Sequence, residues 1–266
     1  PTSEYAERRS ALAARVGDGG IVAFGAVEPV NFWPTFFQLS SFQYLTGASE
    51  SDLVLVMVKN GGASTAMLFT PVRSALEARW IGARTGIVEI ARKYPGLVGR
   101  DIGDLRKVVD SLSAAGLKFY KVRDNQACDY VAEDSLTRGS RFESDLRAAR
   151  PGFAMTAVDS LVESLRGKKS AGEIGLLKKA AQISVRAHQE GMKATNPGCG
   201  ELEIQALREG TFRRMGGDRP GYGSIVGSGP NATILHYMDD SRIMNDGELL
   251  LIDAATSFDH YSADVT

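Results

Sequence analysis

The chain has 266 residues, 43% of them hydrophobic and 24% charged, with a formal net charge of −1. That composition supports one or two packed domains and carries no basic footprint for nucleic acid. No apolar run approaches the roughly 20 residues that cross a bilayer, and the polar start of the chain has no signal-peptide core, so no membrane partner is expected. Cys128 and Cys199 are far apart and lack a motif. They suit small core positions in a reducing, cytoplasmic compartment.

The first ~165 residues read as a mixed α/β unit. Ile21–Phe24, Leu53–Val58 and Thr65–Phe69 are strand-like, and Asn60-Gly61-Gly62 between the last two is a hairpin signal. Ile102, Leu105, Val108, Val109 and Leu112 recur on one face and predict a helix over 101–115, ended by Gly116. Phe119–Val122 is the next strand. Pro151-Gly152 punctuates the chain, and Ser170-x-x-Glu173 is a capping-box pattern. It opens a long helix expected to bury Ile174, Leu177, Ala181, Val185, His188 and Met192, with His188 a packed histidine. Asn196-Pro197-Gly198 breaks that helix. A second helix runs over 200–215 and stops at Gly216-Gly217.

Glycines at 221, 223, 227 and 229 match neither dinucleotide nor P-loop spacing. They are expected to let backbone approach a pocket closely. Leu249–Ile252 suits a buried strand, Ser257–His260 a turn, and Tyr261–Val265 the return strand. With Phe258-Asp259 as a two-residue loop, Asp253 lies directly opposite Asp264 on one face. Directly paired Cβ atoms are roughly 4.5–5.5 Å apart. Two carboxylates that close on a largely buried strand pair repel, and a bridging cation removes the repulsion. Two solvated loop aspartates remain the alternative.

The distinctive stretches are Tyr222-Gly-Ser-Ile-Val-Gly-Ser-Gly-Pro-Asn-Ala-Thr-Ile-Leu-His236-Tyr237, Asp246-Gly-Glu-Leu-Leu-Leu-Ile-Asp253-Ala254 and Tyr261-Ser-Ala-Asp264-Val-Thr266. Upstream stand Phe42-Gln-Tyr-Leu-Thr-Gly47, Trp80-Ile-Gly-Ala-Arg-Thr-Gly86 and Lys169-Ser-x-x-Glu-Ile174. Together they closely resemble the Xaa-Pro aminopeptidase (aminopeptidase P) branch of the pita-bread metallopeptidases, a fold shared with prolidase, methionine aminopeptidase and creatinase.

The resemblance implies an α/β N-terminal domain of the creatinase/aminopeptidase P type over 1–167. An α+β pita-bread domain follows over 168–266 and is incomplete. It implies Asp253 as ligand of one metal and Asp264 as a bridge between two. His236 would be the catalytic pocket residue that holds substrate or the tetrahedral intermediate. Tyr222 would stand in the substrate pocket wall, and Trp80 would reach a neighbouring subunit's site. The implied cofactors are two divalent ions, Mn²⁺ first and Zn²⁺ or Co²⁺ as alternatives, which suit carboxylate and imidazole ligands. The implied activity removes an N-terminal residue preceding proline by a hydroxide activated between the two metals.

Two departures stand out. Family members have Asp-Ala-Gly where this chain has Asp253-Ala254-Ala255, which is expected to perturb the hairpin slightly. Of the family's five metal ligands, only the two aspartates are present. The chain is therefore expected to be the N-terminal part of a longer enzyme, inactive alone, with the C-terminal remainder and peptides bearing proline at the second position as partners. An open sheet edge and apolar face further suggest a homo-oligomer. The competing readings are a prolidase, a non-catalytic pita-bread binding module and a metal-free amidinohydrolase.

Overall fold

The structure is a computed structural model that describes residues 2–29, 36–123 and 137–266. Its chain divides into two compact units, Pro1–Lys168 and Lys169–Thr266. Among the described residues, no helix is long and apolar enough to cross a membrane. Cys128 lies outside the described residues.

The first unit comprises α1 (Thr2–Ala14), β1 (Gly19–Phe24), α2 (Ser40–Thr46), β2 (Val54–Asn60), β3 (Ala63–Thr70), α3 (Ala75–Ile81), α4 (Ile87–Lys93), β4 (Val98–Asp101), α5 (Leu105–Ala114), β5 (Lys118–Val122), α6 (Arg138–Ala149), β6 (Met155–Ala157) and α7 (Asp159–Gly167). Its six strands form one sheet in the order β4-β3-β2-β1-β5-β6. β2 pairs antiparallel with β1 and β3, and the flanking pairs are parallel. Every residue of β1 is buried, because helices cover both faces of the sheet. Ile21 and Ala23 pack with Leu12, Phe42, Leu45 and Val162, whereas Val22 and Phe24 pack with Val54, Leu105, Val109 and Leu146. This is the alternation expected of a strand between two apolar layers.

The β2–β3 hairpin turns at Gly61-Gly62, with φ of 56° and 87°. A type I′ turn needs positive φ at both central residues, which is why this signal is legible in the sequence. The expected helix over 101–115 begins as a 3₁₀ turn, Ile102–Asp104, capped by the Asp101 carboxylate on the Gly103 N–H at 2.8 Å. It ends before Gly116, at φ 82°. Helices α2, α3 and α4 are seven residues each. That is too short for a periodicity to show, and caps and packing hold them instead.

The second unit comprises α8 (Ala171–Ala194), α9 (Glu201–Arg214), β7 (Arg219–Pro220), β8 (Ile225–Ser228), β9 (Leu250–Asp253), β10 (Thr256–Phe258) and β11 (Tyr261–Ser262). β8 pairs with β9, and β11-β10-β7 form a second small sheet. The capping box forms as expected: the Ser170 N–H donates to Glu173 at 2.8 Å, and the Glu173 N–H donates to Ser170 Oγ at 3.1 Å.

Two expectations for this unit fail. α8 buries Ala180, Ile183, Ser184, Ala187 and Gly191, not the face of its larger apolar residues. Ile174, Val185 and Met192 are exposed, Met192 by 71%. Small side chains win because α9 approaches closely: a Cβ on Gly191 would come within 3.1 Å of Arg208 Cδ. The run ahead of Asp253 is not a buried strand either. Leu250–Ile252 are half-buried, and Leu249 is 81% exposed.

The hairpin register also differs. Ser257 pairs with Ser262 and Phe258 with Tyr261, so the loop is Asp259-His260, not Phe258-Asp259. Both loop residues have positive φ, 47° and 68°. Aspartate tolerates that region better than phenylalanine, and Phe258 packs on the Ile183–Phe212 cluster instead. The return strand is only Tyr261–Ser262. In the same register, the Ala254 N–H donates to the Val265 carbonyl at 3.2 Å. Asp264 is therefore diagonal to Asp253 rather than directly opposite it. The shift is two residues, so both still point to the same face. Ala255 is fully buried and is absent from the positive-φ positions, so the alanine departure is accommodated without strain.

Candidate metal centre

Asp253 is the last residue of β9 and pairs with Ile225 of β8. Tyr222 sits between β7 and β8, and the neighbouring Gly221 N–H donates to the Ala255 carbonyl at 2.8 Å. A Cβ on Gly221 would come within 2.7 Å of Ser262 Oγ, so glycine is what lets this strand lie against the hairpin. Asp264 follows β11. Its neighbour Ala263 accepts from Ser184 Oγ of α8 at 3.4 Å, and the same Ser184 Oγ accepts from the Thr256 N–H at 3.0 Å.

These supports bring three side chains to one point. The Tyr222 hydroxyl is hydrogen-bonded to Oδ1 of Asp253 and to Oδ1 of Asp264. Asp253 is half-buried and Asp264 is exposed, which corrects the expectation of a largely buried pair. Burial, then the two carboxylates, raise the Tyr222 pKa, so the phenol stays protonated. One phenol carries one proton, yet two carboxylate oxygens contact it. The proton satisfies one of them at a time, and a cation satisfies both.

Two carboxylates on one face are hard oxygen ligands, which fits a divalent cation. They fill only part of its coordination sphere. Among the described residues, no group of three or more His, Cys, Asp or Glu side chains is arranged to hold a metal.

Of the expected site residues in this unit, His236 is not gathered here. His236 is exposed on the turn after the 3₁₀ segment Gly229–Thr233, and no hydrogen bond joins it to Tyr222, Asp253 or Asp264. Trp80 lies on α3 of the first unit and is 78% exposed. His188 is partly buried, as expected of a packed histidine, with Nδ1 2.9 Å from the Ser184 carbonyl. Burial lowers its pKa, and the Arg208 charge adds to that. Cys199 is a partly buried free thiol packed beside the Ile204–Val226–Met244 cluster.

Two structural residues were not legible as such. Glu201, at the start of α9, is fully buried and accepts from the Ser228 N–H (2.6 Å), Ser228 Oγ (2.8 Å), Asn231 Nδ2 (3.2 Å), the Tyr237 hydroxyl (2.8 Å) and the Arg242 N–H (3.0 Å). It thereby ties down both ends of the segment that carries His236. Burial alone would raise this carboxyl, but the donors from Ser228, Arg242 and Tyr237 hold it below the usual range. An acidic residue in a first helical turn is ordinary, so nothing in the sequence marks it. Arg208 is likewise fully buried on α9. It shares a helical face with Ile204 and Phe212, so a charged residue at an apolar period was the available signal.

Comparison with known proteins adds the family context. Residues 5–118 match the model of the aminopeptidase P N-terminal domain, and residues 175–266 match that of metallopeptidase family M24. The chain is 30% identical over 277 residues to the Xaa-Pro aminopeptidase of Escherichia coli K12, covering 99% of this chain and 60% of that protein. Among solved structures it resembles Pseudomonas aeruginosa aminopeptidase PepP, with 32% identity, a TM-score of 0.83, and coverage of 99% of this chain and 60% of that one. It also resembles the zinc-substituted aminopeptidase P of E. coli in complex with product, with 29% identity, a TM-score of 0.84, and coverage of 99% and 61%. The chain thus spans about three fifths of the length of these relatives.

Proposed function

We propose that this chain, whose residues 5–118 match the aminopeptidase P N-terminal domain and whose residues 175–266 match metallopeptidase family M24, is part of a metal-dependent Xaa-Pro aminopeptidase. The observation that carries this reading is the Asp253–Tyr222–Asp264 cluster, in which two carboxylates share one phenol proton. Asp253 and Asp264 would hold divalent cations, with Asp264 as the bridge if two are bound. The solved E. coli relative is a zinc-substituted enzyme, which supports divalent metal use, and Mn²⁺ is our first choice for a carboxylate-rich site. Bound cations would supply a water of lowered pKa and polarise the scissile carbonyl.

Within that chemistry, Tyr222 orients the two carboxylates and donates its proton between them. Exposure of Asp264 leaves an open side for a peptide. His236 would line the pocket and help hold the substrate or the tetrahedral intermediate, and Trp80 would reach a neighbouring subunit's site. Ligands beyond the two aspartates must come from water or from outside the described residues. On these grounds the 266 residues alone are proposed to bind cation weakly and not to turn over peptide. A cytoplasmic location and self-association belong to the same proposal.

Two measurements test the reading. Mn²⁺ binding to the chain should fall at least tenfold in Asp253→Asn and in Asp264→Asn; unchanged binding in both would remove the metal centre. In the catalytically competent protein, Ala-Pro-Xaa peptides should lose their first residue while Ala-Ala-Xaa peptides do not. Cleavage of Ala-Pro dipeptides in preference to longer peptides would favour a prolidase.

A further inference from the structure

The segment from Ser228 to Arg242 is fastened at both ends and held in its middle by a phenol. At one end Ser228 belongs to β8 and pairs with Leu250 of β9. At the other, the Glu201 N–H donates to the Arg242 carbonyl at 3.0 Å and the Met244 N–H to the Cys199 carbonyl at 2.9 Å. From Thr233 to Asp239 only Tyr237 is buried. Its hydroxyl donates to Oε2 of Glu201 at 2.8 Å and accepts from the Ser241 N–H at 3.1 Å. The chain reverses at Asp240, at φ 42°, which brings Ser241 back to that hydroxyl.

The phenol therefore joins the start of α9 to the far side of the turn. Glu201 is fully buried, and a hydrogen bond to a buried carboxylate is stronger than one between neutral groups. His236 precedes Tyr237 directly and is exposed. Its surroundings do not hold it: Leu235 is 86% exposed, and Met238 is exposed as well. Packing thus leaves the backbone of His236 unfixed, and the clip one residue away fixes it.

We propose that Tyr237, hydrogen-bonded to Glu201 and Ser241, is the positioning residue of His236 and fixes the backbone from which the imidazole is presented to substrate. Without the hydroxyl, the stretch over 233–240 stays attached at both ends while its middle is free to shift. A displacement of about 1 Å in a positioned group can cost on the order of a hundredfold in rate. The fold survives the change, because the ring of Tyr237 remains and the end fastenings do not involve it. This inference rests on the reading of His236 as a group that holds substrate or the tetrahedral intermediate.

The test compares Tyr237→Phe with wild type in the catalytically competent protein, on an Ala-Pro-Xaa peptide. The kcat should fall about tenfold or more, while Mn²⁺ binding stays within about twofold. His236→Ala should lose at least as much. Adding Tyr237→Phe to it should cost less than about twofold further, because the phenol acts through the imidazole. In the 266-residue chain, the Ser241 amide should exchange faster in Tyr237→Phe while the Ser228 amide keeps its rate. Glu201→Gln disturbs the same bond from its other side and repeats the test should Tyr237→Phe not fold. Wild-type kcat in a folded Tyr237→Phe protein, or an unchanged Ser241 amide, overturns the proposal. So do losses that add in the double variant, since they mark a role that does not pass through His236. An unchanged kcat in His236→Ala refutes the reading of His236 and this proposal with it, and leaves the aminopeptidase activity standing. Wild-type protein that cleaves no Xaa-Pro peptide sinks that activity and this inference together.

Discussion

Glu201→Ala removes the carboxylate that receives five donors from the segment between Ser228 and Arg242. Some of these donors have alternatives. The Tyr237 hydroxyl lies 3.3 Å from Ser241 Oγ, and Asn231 is near enough to solvent to rehydrate. The Ser228 N–H and hydroxyl have none, because Ser228 is buried, and Arg242 is half-buried. An unsatisfied buried donor costs roughly 1–3 kcal/mol. Two to three such groups give about 4 kcal/mol, at the upper end of single-substitution effects. Urea denaturation should show that loss as a lowered midpoint with an unchanged slope in the second unit's transition. Hydrogen exchange should show the Ser228 and Arg242 amides losing protection before those of α8. Glu201→Gln keeps one acceptor oxygen and should cost about half as much. A loss below about 1 kcal/mol for the alanine variant would mean that water or rearranged partners satisfy these donors, and that Glu201 does not hold the segment.

Tyr222→Phe deletes the proton shared by Asp253 and Asp264, and should destabilise the cation-free protein by about 1–2 kcal/mol. Differential scanning fluorimetry should show the second unit's midpoint lowered by roughly 4 °C or more and largely restored by millimolar Mn²⁺; an unchanged midpoint would mean the cluster carries no strain to relieve. In the first unit, burial would raise Glu50, but Lys93 at 2.7 Å and the Thr85 hydroxyl and N–H hold it at about 2. A depressed carboxyl contributes stability that is complete above about 4.5 and is lost as pH falls toward 2, here on the order of 3 kcal/mol. Glu50→Gln should flatten the first unit's acid unfolding in that window, and an identical acid profile would contradict the assignment. Asp259→Val forces a β-branched residue into φ 47° and should cost about 1–2 kcal/mol, whereas Asp259→Gly should be neutral or stabilising. Equal stabilities, measured by urea midpoints, would argue for the alternative loop at Phe258-Asp259.

Much of the local architecture is determined by the sequence itself, because its signals act over a few residues. Gly61-Gly62 supplies the positive φ of a type I′ turn, Ser170 and Glu173 are close enough to cap one helix start, and Gly116 ends α5. The family motif places both aspartates on the hairpin, and the side-chain period of two keeps them on one face even where the loop shifts. Tertiary structure decided what depends on distant partners. Which face of α8 is buried was set by the close approach of α9, which selects Ala180, Ala187 and Gly191 over Val185 and Met192. The loop moved to Asp259-His260 because Phe258 finds apolar neighbours in Ile183 and Phe212, a contact across more than forty residues of chain. The role of Glu201 arises in the same way. A carboxylate becomes a hub only when folding removes water and leaves particular donors around it.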